Sequence, residues 1–244
     1  MPGTVVAAFD FDGTLTRHDT LLPFLMFVAG KGVFARALVG QIPSLALFLA
    51  GKRTNAVAKE HLLGRFLRGF DSEDVRRMGE EFALHQLPRM LRKPMISCLR
   101  AHRERGHRCV MVSASLDVYL KPWAASSGLI DPRDVISSKL QVERGRITGK
   151  LEGQNCYGVQ KVRELKSHLV SSAGLAGADS SKVKIVAYGD SHGDRQMLEA
   201  ACHGVLLTRR LKLITDPLFF VKKLDEWELT QECRGYTGLQ GLAQ

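Results

Sequence analysis

The stretch that decides the fold is Asp10-Phe11-Asp12-Gly13-Thr14, which follows directly on a short run of β-branched and apolar residues at positions 4–9. The run predicts a buried strand, and the polar, glycine-containing stretch after it predicts a turn. Asp-x-Asp alone is weak evidence for a site, because aspartates at strand ends often only cap turns. Its position directly after an apolar strand gives it more weight.

Other short apolar runs predict further strands, and these alternate with helical stretches. The pattern predicts strands at 109–112, 135–136, 183–188 and 204–207, a hairpin over 140–151, and helices over 94–105 and 159–170. Such alternation is typical of an α/β fold with a doubly wound parallel sheet, in which ligands bind at the carboxyl ends of the strands. Since Ser113, Asp190 and Asp194 follow two of these strands, we expect them to converge with Asp10 and Asp12.

The composition is that of an ordinary globular protein, apart from its charge. The chain has 244 residues, of which 45% are hydrophobic, and a net charge of +10 from 35 basic and 25 acidic side chains. This length predicts one α/β domain, with or without an insert. The positive charge leaves three classes of partner open, namely nucleic acid, an anionic membrane surface and small anionic substrates.

The cysteines and the first residues bear on the cellular compartment. Five widely spaced cysteines without a Cys-x-x-Cys pair argue against a zinc ribbon or a dithiol redox motif. They favour a reducing compartment. The beginning of the sequence lacks the basic and apolar segments of a secretory signal. We therefore expect a cytoplasmic protein.

Four features occur in a fixed order along the chain. They are the Asp10–Thr14 stretch, Ser113 after a later strand, Lys161 on a predicted helix, and Gly189-Asp190-Ser191-His192-Gly193-Asp194 after another strand. In this order and with these flanks, residues 4–208 resemble the haloacid dehalogenase superfamily of phosphotransferases. The resemblance implies a Rossmann-like core with an inserted helical cap, and the activity of a phosphoric monoester hydrolase.

The chemistry of the first motif agrees with that resemblance. Asp10 would be the nucleophile and would form an aspartyl-phosphate, which divides a difficult hydrolysis into two displacements. Asp12 would be the general acid and base. An unperturbed aspartate has a pKa of about 3.9, so we expect nearby negative charge to raise the pKa of Asp12. Lys161 would neutralise the nucleophile and the phosphoryl oxygens.

The acidic residues of the predicted site require a cation. Asp10, Asp12, Asp190 and Asp194 bring up to four negative charges beside an anionic phosphate, and Mg²⁺ is the usual hard divalent ion in such places. The resemblance implies ligation by Asp10, the backbone carbonyl of Asp12 and Asp190. It implies that Asp194 lies at the metal or behind it.

The remaining predicted site residues bind phosphate or shape its loop. The Ser113 hydroxyl and the Ala114 backbone N–H would donate hydrogen bonds to phosphoryl oxygens in the transition state. Thr14 belongs to the same phosphate-binding set and would fix its loop by hydrogen bonding, while Gly13 would allow the tight turn. Ser115 either contributes to the site or only shapes the loop.

The domain boundaries follow from the position of the apolar helical region. We expect a core of residues 1–16 and 93–215, a helical cap of residues 17–92, and a tail of uncertain structure at 216–244. The cap resembles that of the phosphoserine-phosphatase-like branch. Asp19 matches an acidic residue that binds the substrate amine in that branch, and it could equally be the N-cap of a helix that begins at Thr20.

The substrate is less well defined than the reaction. Phosphoserine phosphatases have Gly-Gly-Phe after the motif serine, whereas this chain has Ala114-Ser115-Leu116, and its segment 21–50 is strongly apolar. The chain also resembles the bacterial phosphatidylglycerophosphatase C family, through the apolar segment, Gly69-Phe70-Asp71-Ser72-Glu73 and the residues around Lys161. The predicted substrate is a lipid phosphate such as phosphatidylglycerophosphate. Phosphoserine and histidinol phosphate are the alternative substrates. The alternative function from another class is a non-catalytic phosphate- or membrane-binding module.

Basic residues cluster in three places outside the motifs, at positions 89–93, 100–108 and 209–212. Such clusters attract anionic lipid, at roughly 1 kcal/mol per charge near the surface, and they are equally typical of solvated helix faces. They favour peripheral association with the inner face of a membrane. With 7% aromatic residues and no stacking motif, the sequence predicts no nucleic-acid partner.

Overall fold

A computed structural model of the chain describes residues 5–30, 32, 34, 55–172 and 183–207. The predicted tail at 216–244, the basic cluster at 209–212 and most of the apolar segment after Gly30 lie outside these residues. Within the described part, no helix is both long enough and apolar enough to cross a bilayer.

A six-stranded sheet forms the centre of the molecule, and five of its strands are parallel. The strands are β1 (Val5–Phe9), β2 (Arg108–Leu116), β3 (Val135–Glu143), β4 (Arg146–Glu152), β5 (Lys184–Gly189) and β6 (His203–Leu206). Their order across the sheet is β4-β3-β2-β1-β5-β6, and only β4 is antiparallel to its neighbour. The predicted α/β class and the predicted hairpin are confirmed.

Helices pack against both faces of this sheet. The described helices are α1 (Leu21–Ala29), α2 (Asn55–Phe66), α3 (Ser72–His85), α4 (Leu87–Met90), α5 (Lys93–Glu104), α6 (Asp117–Ser127), α7 (Val159–Ser171) and α8 (Arg195–Ala200). Alternate residues of β1 enter two separate hydrophobic clusters: Ala7 and Phe9 face one, Val6 and Ala8 the other. This burial of both faces explains the continuous apolar sequence of the strand.

The helices α1 to α4 lie between β1 and β2, in the predicted cap, which we call the insert (residues 17–92). The insert shares a hydrophobic core with the rest of the molecule, because Phe24 and Phe82 pack against Tyr119 of α6, with ring centroids 4.9 and 5.4 Å apart. A Cβ on Gly79 of α3 would lie 2.2 Å from the Val118 carbonyl oxygen. Glycine therefore allows α3 to approach the backbone of α6.

The two ends of the insert are joined to each other, and the turn between α2 and α3 is joined to the β3–β4 hairpin. Thr16 and Leu91 form an isolated antiparallel bridge. The Gly69 N–H donates to the Ile147 carbonyl of β4 at 2.8 Å, and the Ile147 N–H donates to the Phe70 carbonyl at 2.9 Å. The hairpin thus extends the sheet to support the insert. The exact domain boundaries at 16/17 and 92/93 stay a prediction.

Three cysteines, Cys98, Cys109 and Cys156, are free and buried. Burial raises the pKa of each of these thiols to about 12, so they are inert thiols of the core. Cys202 is disulfide-bonded in this structure. The expectation of a reducing compartment stays a prediction.

Candidate active site

The turn after β1 brings the first motif to the carboxyl end of the sheet. Asp10 follows Phe9, and its backbone N–H donates to the Tyr188 carbonyl of β5 at 2.9 Å. Gly13 has a φ of +74°, and a Cβ at this position would lie 2.2 Å from Oδ2 of Asp190. Glycine is therefore needed both for the backbone conformation and for the close approach of Asp190.

The hydroxyl group that closes this turn belongs to Thr16. Its Oγ1 accepts from the Gly13 N–H at 3.2 Å, lies 3.2 Å from the Phe11 carbonyl oxygen and donates to the His18 carbonyl at 2.7 Å. Oγ1 of Thr14 is buried and has no hydrogen-bond partner among the described residues. The prediction that Thr14 fixes the loop by hydrogen bonding is therefore wrong, because Thr16 is the residue whose hydroxyl reaches the turn. A role of Thr14 in phosphate binding stays a prediction.

Lys161 is the cation at the centre of the site. Its Nζ lies 2.6 Å from Oδ1 of Asp10 and 2.6 Å from Oδ1 of Asp194, and its side chain is buried. Burial disfavours the charge on Lys161, but the two carboxylates outweigh it and raise the pKa of the ammonium group. Lys161 lies in the first turn of α7, which follows Gly158, and the Gly158 N–H donates to the Gly193 carbonyl at 3.0 Å. The start of this helix is thereby tied to the Asp190–Asp194 loop.

Asp194 is held through both of its carboxylate oxygens. Oδ1 bonds Lys161, while Oδ2 accepts from the N–H groups of Asp190 at 3.1 Å and Ser191 at 3.0 Å and from the Ser191 hydroxyl at 2.7 Å. Burial raises the pKa of Asp194, but Lys161 and these hydrogen bonds prevail, and the net shift is downward. Asp194 therefore carries a negative charge and orders the loop around it.

Three carboxylates meet at a candidate cation site. Asp10, Asp190 and Asp194 each offer one oxygen, and these atoms all lie within 4.8 Å of one another. A set of hard oxygen donors fits Mg²⁺. Burial is the largest influence on Asp10 and raises its pKa to about 7, against the opposing charge of Lys161. A bound cation would favour the ionised form.

The side chain of Asp12 points away from this cluster and toward the insert. Its Oδ1 accepts from the N–H of Thr20 at 2.8 Å and from the Thr20 hydroxyl at 2.6 Å, and its Oδ2 accepts from the Ser115 hydroxyl. Burial and then the charge of Asp19 raise the pKa of Asp12 to about 6, against the hydrogen bonds. The predicted direction of the shift is confirmed, but burial is a larger cause than negative charge. The resemblance implies that Asp12 binds the metal only through its backbone carbonyl, and the direction of its side chain agrees with this. Metal binding by the carbonyl stays a prediction.

Ser113 and Ala114 lie within an irregularity of β2. The pairing of β2 with β3 shifts register between Ser113 and Leu116, and such bulges redirect side chains near functional sites. Ser113 is buried, and its Oγ accepts from the Ser115 N–H at 3.0 Å. β2 runs four residues beyond the predicted strand at 109–112, and the bulge lies in this extension. The binding of phosphate by Ser113 and Ala114 stays a prediction.

Asp19 acts as a helix cap in this structure. Its Oδ1 accepts from the backbone N–H of Leu21 at 3.0 Å and lies 3.3 Å from that of Leu22, at the start of α1. Asp19 is exposed at this position. The geometry therefore supports the capping alternative, while recognition of a substrate amine stays a prediction.

Sequence reasoning missed several residues that hold the site. For Thr20 the sequence indicates only the start of a helix, yet its N–H and its hydroxyl both donate to Asp12. Arg92 was counted in a basic cluster, yet its guanidinium donates to the carbonyls of Gly13 at 3.2 Å and Thr16 at 3.4 Å. Lys59 of α2 reaches from the insert to the Ala114 carbonyl of the core. The only sequence signal for Arg92 is its position at the end of the insert, where the chain must return to the site.

This geometry agrees with the family comparison. The model of the haloacid dehalogenase-like hydrolase family matches residues 7–199, which include Asp10, Ser113, Lys161, Asp190 and Asp194. The chain therefore belongs to this family, and the predicted superfamily membership is confirmed.

The chain is also similar to individual proteins. The chain is 31% identical over 202 residues to Protein CicA of Caulobacter vibrioides, a match that covers 81% of this chain and 83% of that protein. It is similar to a solved protein of unknown function from Bordetella pertussis Tohama I, with a TM-score of 0.69, 25% identity, and coverage of 82% and 87% of the two chains. It also shares its fold with a phospho-aspartyl intermediate analogue of phosphoserine phosphatase, with a TM-score of 0.53, 21% identity, and coverage of 82% and 84%.

The assignment of the turn to Thr16 can be tested with a matched pair of variants. Thr16→Val leaves the Gly13 N–H without its acceptor, so we expect the free energy of unfolding to fall by about 1–3 kcal/mol. Thr14→Val removes a hydroxyl that has no partner among the described residues, so the loss should be well below that of Thr16→Val. Denaturant unfolding of both variants measures the difference, and equal losses would contradict the assignment.

Proposed function

We propose that this chain is a Mg²⁺-dependent phosphomonoesterase that hydrolyses its substrate through a covalent aspartyl-phosphate on Asp10. The observation that carries the proposal is the position of Lys161, whose ammonium lies 2.6 Å from both Asp10 and Asp194. A non-catalytic binding module has no need for a buried lysine between a candidate nucleophile and a loop carboxylate. Membership in a hydrolase family supports the same conclusion.

In the first displacement, a carboxylate oxygen of Asp10 attacks phosphorus. The new O–P bond forms as the bond from phosphorus to the ester oxygen breaks, and Asp12 gives its proton to the leaving alkoxide. The pKa of Asp12 near 6 supports this role, because a fraction of the group keeps its proton at neutral pH. Lys161 stabilises the negative charge on the phosphoryl oxygens throughout the step.

In the second displacement, water attacks the phosphorus of the aspartyl-phosphate. Asp12, now ionised, takes a proton from the water, and the bond between phosphorus and the Asp10 oxygen breaks. Inorganic phosphate leaves, and both carboxyl groups return to their initial states. A phosphoserine phosphatase of the same fold has been solved as a phospho-aspartyl intermediate analogue, the type of intermediate proposed here.

The candidate ligands of Mg²⁺ are Asp10, Asp190 and the backbone carbonyl of Asp12. Both oxygens of Asp194 are already engaged, by Lys161 and by the Ser191 loop, which supports a position of Asp194 behind the metal. When bound, Mg²⁺ supplies positive charge that offsets the repulsion between the carboxylates and the phosphate.

The first test concerns the nucleophile and the metal. Purified protein should hydrolyse p-nitrophenyl phosphate with Mg²⁺ and lose this activity in EDTA, because the acidic cluster repels the substrate without a cation. Asp10→Asn should abolish turnover, since an amide cannot attack phosphorus in place of the carboxylate. The matched control is Glu73→Gln, which also replaces a carboxylate with an amide but at an exposed helix position. Activity that survives in Asp10→Asn would falsify the role of Asp10.

A second test separates proton transfer from nucleophilic attack. Asp12→Asn should lower kcat/KM for glycerol 3-phosphate by about 100- to 10,000-fold, because an alkoxide leaving group needs a proton. The loss for p-nitrophenyl phosphate should be much smaller, since its phenolate leaves without one. Asp74→Asn, which makes the same change at a surface position of α3, should show no such dependence on the leaving group. Equal losses on both substrates in Asp12→Asn would rule out its role as the general acid.

We further propose a lipid phosphomonoester, such as phosphatidylglycerophosphate, as the substrate, and an anionic membrane as its site. The supporting observation is helix α1, which has no charged or polar side chain and leaves Leu22 and Met26 exposed by 41% and 36%. The basic cluster at 100–108 supports membrane binding less than its sequence predicted, because some of its side chains are paired or buried. Arg108 is paired with Asp134, and His102 is buried, with its pKa lowered to about 3 by burial and by the charges of His107 and Arg105.

A substrate panel tests the lipid proposal. Short-chain phosphatidylglycerophosphate should give a higher kcat/KM than phosphoserine, histidinol phosphate or sugar phosphates, because the apolar face of α1 would bind acyl chains. The double variant Leu22→Ser/Met26→Ser should lower turnover of the lipid more than turnover of p-nitrophenyl phosphate. Sedimentation should show stronger binding to anionic than to neutral vesicles. A preference for a small polar ester would instead favour the alternative of an amino-acid-type phosphatase.

A further inference from the structure

Lys59 is a buried lysine that the mechanism above does not use. It lies on α2 of the insert, and only 6% of its surface is exposed. Its Nζ donates to the Ala114 carbonyl and, at 3.2 Å, to Oδ1 of Asn155. Both acceptors are neutral oxygens, so these bonds do not form an ion pair. Burial of a charged group costs free energy unless the group is paired and hydrogen-bonded, and these two bonds to neutral oxygens offset that cost only in part.

One peptide group connects Lys59 to Ser113. The carbonyl of the Ala114–Ser115 peptide accepts from Lys59, and the N–H of the same peptide, on Ser115, donates to Oγ of Ser113 at 3.0 Å. Hydrogen bonds in such a chain polarise one another: a cation at the carbonyl makes the N–H a stronger donor, which in turn makes the accepting hydroxyl a stronger donor. Because Ser113 Oγ uses a lone pair to accept this bond, its own proton is directed elsewhere.

We propose that Lys59 is a positioning residue, which acts through the Ala114–Ser115 peptide to orient the Ser113 hydroxyl as a hydrogen-bond donor to the phosphoryl group. The proposal rests on the proposed phosphatase function, since it assigns Lys59 a part in stabilising the phosphoryl oxygens. We call the chain of bonds from Lys59 to Ser113 the relay.

The relay links the position of the insert to the chemistry of the core. Lys59 lies on the insert, whereas Ser113 lies on β2, so the bond to the Ala114 carbonyl exists only when α2 is seated against the core. The second bond, to Asn155, reaches the segment that leads into α7 and Lys161. The β2 segment that carries Ser113 and the segment that precedes α7 are therefore tied to one ammonium group of the insert.

The charge that the relay requires is present at neutral pH. Burial lowers the pKa of Lys59 to about 8, while the carboxylates of Asp12 and Asp19 act in the opposite direction. The thiol of Cys156 also faces Lys59 but is neutral at pH 7, because burial raises its pKa to about 12. The ammonium form therefore still predominates at pH 7.

A double-mutant cycle tests the relay, with p-nitrophenyl phosphate as substrate and saturating Mg²⁺. Lys59→Gln should lower kcat about tenfold to a hundredfold with a much smaller change in KM, because the lost stabilisation belongs to the transition state. In a Ser113→Ala background the same change should lower kcat less than about threefold, since the group that it acts through is gone. Lys59→Arg should restore most of the activity. Arg65→Gln, which removes a charge from an exposed position of α2, is the matched control and should keep full activity.

Each outcome of the cycle decides the proposal. Losses that multiply fully in the double variant, or an unchanged kcat in Lys59→Gln, would overturn the relay while leaving the phosphatase function intact. A wild-type protein without phosphatase activity would overturn both proposals. Circular dichroism and unfolding midpoints check that the variants fold. If Lys59→Gln does not fold, the cycle is run with Lys59→Met, which keeps the packed aliphatic stem.

Discussion

The ammonium group of Lys161 holds together carboxylates that would otherwise repel one another. Asp10 at the end of β1 and Asp194 after β5 are both buried, and a buried carboxylate without a partner would take up a proton rather than stay charged. Lys161 reaches both from the first turn of α7. The arrangement of three separate elements at the carboxyl edge of the sheet therefore depends on this pair of ionic bonds, and Asp190 completes an acidic cluster beside them.

The insert adds a second set of constraints from the other side of the site. Its first helix begins beside Thr20, whose hydrogen bonds hold the half-buried Asp12, and loss of solvation raises the pKa of this carboxyl group to about 6. Its second helix brings Lys59 to the carbonyl of Ala114. Arg92, at its end, bonds the Gly13 carbonyl. The insert, which is expected to recognise the substrate, therefore also holds the candidate catalytic groups in position. It can do so because it shares a hydrophobic core with the rest of the molecule.

Sequence patterns predicted the regular elements better than their irregular ends. The apolar run before Asp10 and the helix around Lys161 agree with the structure within a few residues, because burial on both faces and helical periodicity leave strong local signals. The extension of β2 through Ser113 to Leu116 was missed, because the bulge there depends on pairing with β3 and not on local composition. The role of Thr16 was missed for a similar reason, since no local pattern distinguishes it from Thr14 and only the path of the turn brings its hydroxyl to the Gly13 N–H.

The amino-acid sequence by itself determined the class of fold and the order of the motifs, and it named Asp10, Asp12, Lys161, Asp190 and Asp194 as candidate site residues. These follow from patterns within a few residues, such as an apolar strand followed by an acidic turn. The tertiary structure decided which side chains meet across long stretches of chain: Lys59 with Ala114, Ser115 with Asp12, and Arg92 with Gly13. Such contacts depend on how the insert packs against the sheet. That packing is the sum of many weak interactions between residues far apart in the sequence, so no local sequence pattern predicts it.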